Sequence, residues 1–410
     1  MAKGSMATLK INRRAADKAR AGHLWVYRSD VEGDVEATDA LVTVVDGRGA
    51  VLGSAIYSTT SQIAARMVSR QGELSRAQYV ADVRERVLAA VALRKAVAPL
   101  GDGDNAQRLI FAEADGLPGI LADRYNDLVV LQLLAQGTAK DDVREAVVAA
   151  LGEALPGALT VWERPDQKIV KLEQLEAPQA GALFSSSDEA PAKTVFTING
   201  LKFAFDAGAG QKTGAFLDQR LNYAAAARAV KASGRTGKAL DVCTYQGGFA
   251  LHLAQVCERV TGVDSSRAAL EVADANLAIN ESLRAETDWI EADAFDLLRA
   301  YEAQGEKFDA IVLDPPAFAK SKRASAGALR GYKEMNLRAM KMLEPGGTLV
   351  TNSCSHHVSL EEFTAVVGEA ASDAGRRVQL LEISAAAPDH PEVLTMAETR
   401  YLKCLICRVD

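Results

Sequence analysis

From Lys238 onward the chain alternates short apolar runs with longer stretches of helical spacing, a rhythm that few folds can accommodate. Ala239-Leu-Asp-Val-Cys243, Val260-Thr-Gly-Val-Asp264, Asp288-Trp-Ile-Glu291, Phe308-Asp-Ala-Ile-Val-Leu-Asp314 and Thr348-Leu-Val-Thr-Asn352 are runs of strand length. Helices of about 10–15 residues fit between them, and strands alternating with such helices give a parallel, doubly wound α/β sheet. Ligands of such sheets lie beyond the carboxyl ends of the strands, at the point where strand order reverses. The polar residues at those ends are therefore the ones to read.

The first strand runs into Asp241-Val-Cys-Thr-Tyr-Gln-Gly-Gly-Phe249, where Gly247 and Gly248 permit close backbone approach just before a helix. The second ends in Asp264, 23 residues after Asp241, where a carboxylate can bind both hydroxyls of a ribose. Asp293 follows the third strand and can hold an adenine edge. Dinucleotide binding requires a G-x-G-x-x-G turn that brings a helix N-terminus onto a pyrophosphate, but Cys243-Thr-Tyr-Gln stands where the first two glycines would be. S-adenosylmethionine has no phosphate, and its sulfonium and amino-acid tail tolerate an acid such as Asp241. The ordered set of acids favours that cofactor over helix capping alone.

Asp314-Pro-Pro-Ala-Phe318 ends the fourth strand. Two prolines fix an extended exit and donate no hydrogen bonds, leaving carbonyls and a carboxylate to face the cleft and grip an amine-bearing base. Lys320, Lys322, Arg323, Arg330 and Lys333 follow with no acid before Glu334, a charge pattern suited to a phosphate backbone. The fifth strand ends in Thr351-Asn-Ser-Cys-Ser355. Methylating C5 of a cytosine requires prior thiolate attack at C6, and Cys354 stands where such a thiol belongs. The competing reading is a buried core cysteine.

The remaining chain supplies context. At 410 residues it predicts two to three domains. Up to Gly72 the pattern is β-rich, with Leu41–Val45, Ala50–Tyr57 and Ile63–Val68 as strands. A helix over Ser75–Leu100, strands at Arg108–Phe111 and Leu128–Leu134 and a helix over Asp141–Leu155 describe a mixed middle domain. Residues 177–193, rich in Pro and Ser, predict a linker. The net charge of −7 excludes non-specific coating of nucleic acid, yet Lys3, Lys10, Arg13, Arg14, Lys18, Arg20 and Arg28 face only Asp17 in the first 28 residues, a patch suited to selective RNA contact. Cys404 and Cys407 sit in an apolar final strand, and no metal is expected. No apolar run approaches the roughly 18 residues of a membrane span, so the expectation is a cytoplasmic protein without membrane contact.

Gly208-Ala-Gly-Gln-Lys-Thr-Gly-Ala-Phe-Leu-Asp-Gln-Arg220, Tyr245-Gln-Gly-Gly-Phe249, Lys307–Pro316, Arg330-Gly-Tyr-Lys333, Ser353-Cys-Ser355 and Asp389-His-Pro391 carry a specific likeness. Across nearly its full length the chain resembles the large-subunit (23S) ribosomal RNA cytosine-C5 methyltransferases of the RlmI type. The resemblance implies a PUA-like RNA-binding domain over 1–72, a middle α/β domain over 73–185 and a Rossmann-like, class I methyltransferase domain over 186–410. It implies Lys212, Thr213, Phe216, Asp218 and Arg220 against S-adenosylmethionine, joined by Asp241, Cys243, Tyr245, Gly247, Asp264, Asp293 and Asp314, and it makes Cys354 the nucleophile. Ribosomal RNA is the implied partner, and a homodimer is the working expectation for assembly. One departure is Ala317, where many RNA cytosine methyltransferases carry a second cysteine that assists product release; the base for the C5 proton is thus unassigned, with Asp314 expected to grip the cytosine and relay a proton. The alternatives are methylation of an exocyclic amine of guanine or adenine, and an RNA-binding assembly factor without catalysis.

Overall fold

The computed structural model describes residues 6–33, 35, 40–176, 178, 181–208, 214–318 and 325–410. Three sheets and a hairpin succeed one another along the chain. The first sheet comprises β1 (Ala7–Ile11), β2 (Trp25–Tyr27), β3 (Val31–Glu32), β4 (Leu41–Val45), β5 (Val51–Tyr57) and β6 (Ile63–Ser69) in the order β2-β6-β5-β4-β1-β3. Helix α1 (Arg13–Arg20), which strand patterning does not reveal, starts where the Asn12 side chain accepts the Ala15 amide. Successive strand residues face opposite ways, so Val42 and Val44 meet Leu9 and Ile11 in one core while Leu41 and Ile56 join the next domain's core. The expected basic patch is only partly free. Arg13 is 96% exposed, but Arg28 donates to Tyr57 Oη (2.9 Å) and the Ser61 carbonyl (3.0 Å), holding the domain's own loop.

Ser75 and Gln78 form a reciprocal capping box that starts α2 (Arg76–Val97). Behind it lie β7 (Ala106–Phe111), β8 (Ile120–Tyr125), β9 (Leu128–Leu133), α3 (Asp141–Ala154), β10 (Thr160–Glu163), α4 (Gln167–Glu173) and β11 (Ala182–Ser185), with sheet order β11-β10-β9-β8-β7. β11 falls within the Pro/Ser-rich stretch that predicts a linker: four residues on a sheet edge leave little patterning to read. A hairpin of β12 (Lys193–Ile198) and β13 (Leu201–Asp206) follows, turning at Asn199-Gly200 with φ of 52° and 78°, as a two-residue hairpin turn demands. It lays Phe205 on Tyr125 with ring centroids 4.2 Å apart and shares a core with Leu251 of the last domain.

The last sheet is built from β14 (Lys238–Val242), β15 (Arg259–Asp264), β16 (Glu286–Glu291), β17 (Phe308–Leu313), β18 (Leu343–Ser353), β19 (Val378–Ser384) and β20 (Lys403–Val409), in the order β16-β15-β14-β17-β18-β20-β19. The five expected strands are parallel, and β20 inserts antiparallel between β18 and β19. The helices are α5 (Arg220–Ser233), α6 (Gly248–Leu253), α7 (Arg267–Ala278), α8 (Ala294–Gln304), α9 (Ser325–Met342) and α10 (Leu360–Ala374), and apolar cores lie on both faces. Strand order reverses between β14 and β17. Val242 pairs with Val263 and Leu313, and Leu313 with Thr351, so Cys243, Asp264, Asp314 and Cys354 leave the sheet along one rim. This is the doubly wound α/β sheet that the strand rhythm predicts, in the Rossmann-like form that the resemblance implies. Cys404 and Cys407 are buried in β20, and no helix among the described residues is long and apolar enough to cross a membrane.

Candidate active site

The turn leaving β14 is held in an uncommon conformation. Cys243 (φ 65°), Tyr245 (φ 52°) and Gly247 (φ 85°) are all left-handed, which for each of the two non-glycine residues costs on the order of 1–3 kcal/mol and persists only where neighbours enforce it. They do. Thr244 Oγ1 donates to Asp241 Oδ2 (2.6 Å), the Ala250 amide donates to the same oxygen (2.9 Å), and the Tyr245 amide donates to Asp264 Oδ2 (3.0 Å). Asp241 is fully buried and absent from the cavity lining, and burial pushes its pKa up to about 7. Its Oδ1 meets no protein donor among the described residues. At the next glycine, a Cβ on Gly248 would fall 2.5 Å from the Tyr223 ring, so close helix packing as well as ligand approach requires glycine there.

Over this turn opens a cavity of about 630 Å³. Phe216, Asp218, Cys243, Tyr245, Asp264, Asp293, Asp314 and Cys354 all line it, although they span 139 positions of sequence from first to last. Asp264 Oδ1 takes the Ser266 amide (2.9 Å), which fixes the carboxylate at the cavity edge. Asp293 Oδ1 caps α8 through the amides of Phe295 and Asp296 (2.9 and 3.2 Å), so capping and lining coexist in one residue. Asp218 Oδ2 accepts the Tyr401 hydroxyl (2.6 Å), and Phe216 stands edge-on to Tyr245. Gln219 Nε2 donates to Asp314 Oδ1 (3.0 Å) while its Oε1 accepts from Asn222 (2.6 Å). With both ends of the amide engaged, the Asp314 carboxylate is oriented from below.

Other expected residues lie elsewhere. Lys212 and Thr213, with Lys320, Lys322 and Arg323, fall outside the described residues. Gly247 caps α6 without lining the cavity. Arg220 is buried beside Asp389 (Nε to Oδ2, 3.4 Å), whose Oδ2 also takes the Arg108 amide (2.9 Å) and whose carbonyl accepts from Arg94 (2.9 Å). The Asp389-His-Pro segment is thus a hub tying α2 and β7 to α5. Lys333 is engaged with Glu369 (3.2 Å) and Asp373 (3.0 Å) of α10, which reduces its availability to a phosphate.

Cys354 occupies a rigid corner. Its thiol lies 3.8 Å from the Pro315 carbonyl, while Ser353 and Ser355 on either side bond the Tyr332 hydroxyl (3.0 and 2.9 Å). Lys403, on β20 opposite Ser353, is buried and donates to the carbonyls of Ser355 (2.7 Å) and Val358 (2.8 Å), pinning the loop that follows the thiol. Burial pushes the Lys403 pKa down to about 8, with the charge of a Cys354 thiolate acting in the opposite direction. Gln219, His356 and Tyr401 line the cavity as well, and strand-end spacing does not single them out. His356 has a local signal, two residues beyond Cys354 on the same strand exit; Tyr401 has none, because only β20's insertion brings it to the rim.

A cavity at the switch point, flanked by carboxylates on consecutive strands and lacking a glycine-rich phosphate turn, suits a nucleoside ligand with a cationic tail. Family models agree with that chemistry: residues 9–70 match a PUA-like domain and residues 130–408 match the S-adenosylmethionine-dependent methyltransferases. The chain belongs to this methyltransferase family, and its cofactor is S-adenosylmethionine. Among its relatives, ribosomal RNA large subunit methyltransferase I of Klebsiella pneumoniae is 38% identical over 94% of each chain, and that of Erwinia tasmaniensis 39% identical over 94% of this chain and 95% of its own. A solved structure from Streptococcus mutans, described as an S-adenosylmethionine-dependent methyltransferase, has the same fold with a TM-score of 0.80, at 18% identity over 98% of this chain and all of that one.

Proposed function

We propose that this protein transfers a methyl group to C5 of a cytosine in large-subunit ribosomal RNA, with Cys354 as the nucleophile. The observation that carries this reading is the position of Cys354 at the carboxyl end of β18, lining one cavity with Asp264, Asp293 and Asp314. In this reading Asp264 holds the cofactor ribose, Asp293 the adenine edge, and Phe216 and Asp218 close the same site. S-adenosylmethionine supplies the methyl group. The Cys354 thiolate attacks C6, the C5–C6 double bond opens, and C5 becomes an enamine-like nucleophile while Asp314 holds the base by its amino edge. Residues 1–72 dock the RNA, 73–185 connect, and 186–410 carry the chemistry. The assembly expectation, a homodimer, is read by sedimentation of the full chain.

Methylation of an exocyclic amine has less support. It calls for an aromatic ring directly after the second proline to stack on the base, but Ala317 stands there, and Phe318, one residue later, lines the cavity while packing against Tyr332 and Phe295 with centroids 4.8 and 5.9 Å away. The test is Cys354→Ala, expected to abolish turnover with cofactor affinity nearly unchanged. Ribosomal RNA carrying 5-fluorocytosine should trap wild-type enzyme covalently and fail to trap the variant. Near wild-type methylation by Cys354→Ala would reduce the thiol to a core residue and favour the amine.

A further inference from the structure

We propose that His356 is the base that removes the C5 proton and so releases the product, an inference that rests on the cytosine-C5 reading above. His356 lines the same cavity as Cys354 and Asp314 and sits two residues beyond the thiol on the exit from β18. Its position is fixed from the far side. The ring packs against Tyr401 at 5.4 Å, and the Tyr401 hydroxyl is held by Asp218 Oδ2 (2.6 Å). In the neutral imidazole one nitrogen donates and the other accepts, so one ring nitrogen carries a lone pair.

The surroundings favour that neutral form. Crowding by protein atoms lowers the pKa of His356 most, the charges of Lys403 and His357 lower it further, and only Glu398 opposes them. Three other polar groups of the cavity are engaged or protonated. Asp218 Oδ2 accepts the Tyr401 hydroxyl, Asp314 Oδ1 accepts Gln219, and burial pushes the Cys243 thiol well up. The step balances without any further reactant. Once C5 bears both methyl and hydrogen, His356 takes the proton, the C5–H electron pair re-forms the C5–C6 double bond, and the C6–S bond breaks to return the Cys354 thiolate. The imidazolium then loses its proton to solvent. This supplies the release function that Ala317, in place of a second cysteine, cannot perform.

The test uses the full chain, S-adenosylmethionine and a large-subunit ribosomal RNA transcript labelled with tritium at C5 of cytosine. His356→Gln should retain cofactor affinity, accumulate a covalent protein–RNA adduct stable on a denaturing gel, and release tritium about 100-fold or more slowly, the usual scale of lost general-base catalysis. His356→Glu, which restores a base, should recover part of the release. Tritium release at the wild-type rate without an adduct overturns the proposal. So does loss of adduct and methylation together with cofactor binding intact, because removing a late base cannot block an earlier attack. The 5-fluorocytosine trap separates the two readings: if it captures wild type while His356→Gln turns over normally, only the role of His356 fails; if it captures nothing, the cytosine-C5 reading fails.

Discussion

Asp264 performs two tasks with one carboxylate, and substitutions separate them. Its oxygens take the amides of Tyr245 and Ser266, which hold the turn, and the same group faces the cavity. Asp264→Ala removes both and should weaken S-adenosylmethionine binding by roughly 1.5–3 kcal/mol, the range for hydrogen bonds to a charged acceptor. Asp264→Asn keeps one acceptor oxygen and should fall between Ala and wild type. Calorimetry reads the order directly, and equal affinities for all three would remove Asp264 from the cofactor site.

At the scale of elements, the site depends on how closely α5 packs on α6. Tyr223 of α5 stands edge-on to Phe249 with centroids 4.7 Å apart, and its ring occupies the space a side chain at Gly248 would need. Gly248→Ala therefore places a methyl 2.5 Å from the ring and forces one helix to shift. Overpacking of this kind typically costs about 1–3 kcal/mol. We expect a lower midpoint of chemical denaturation together with weaker cofactor binding, because the Tyr245–Gly248 turn moves with α6. A variant with wild-type stability would show that the helices can part freely.

For the whole molecule, the decisive interactions join domains. Burial alone would raise the pKa of Asp389, but His390, Arg220 and the Arg108 amide outweigh it and hold the carboxyl at about 2. A folded-state pKa below the unfolded value near 3.9 means the stabilisation is present above that value and is lost as pH falls from about 4 toward 2. Asp389→Asn should flatten that acid limb in pH-dependent denaturation. Asp389→Ala, which strands buried Arg220, should cost about 3–5 kcal/mol. At the other end of the molecule, Leu41 and Ile56 of the first domain sit in the core of the second, so deleting residues 1–72 would expose that core and confuse RNA docking with misfolding. Exposed charges give a cleaner measurement. Replacing Arg13 and Lys18 by Ala should lower RNA affinity and make it less sensitive to salt, the slope falling by about one unit for each phosphate these side chains neutralise, while leaving cofactor binding unchanged.

Much of the site was legible because strand ends are local features. The runs ending at Cys243, Asp264, Asp314 and Asn352 are readable from apolar spacing, and a parallel sheet brings their ends and the residues just beyond them to one rim whatever lies between. Asp264, Asp293, Asp314 and Cys354 follow from that rule. Spacing says nothing about depth, so it could not tell that Asp241 braces the turn from beneath or that Arg220 serves the Asp389 hub. Nor could it bring Tyr401 to the cavity. The Tyr401–Asp218 bond joins residues 183 positions apart, and it exists because β20 enters antiparallel between β18 and β19. That insertion also buries Lys403 under the Cys354 loop. The sequence by itself determined the sheet and the rim, since periodicity is written in neighbouring residues. Tertiary structure alone decided which polar groups reach the cavity and which are spent holding it, because those partners are chosen by packing across distant segments.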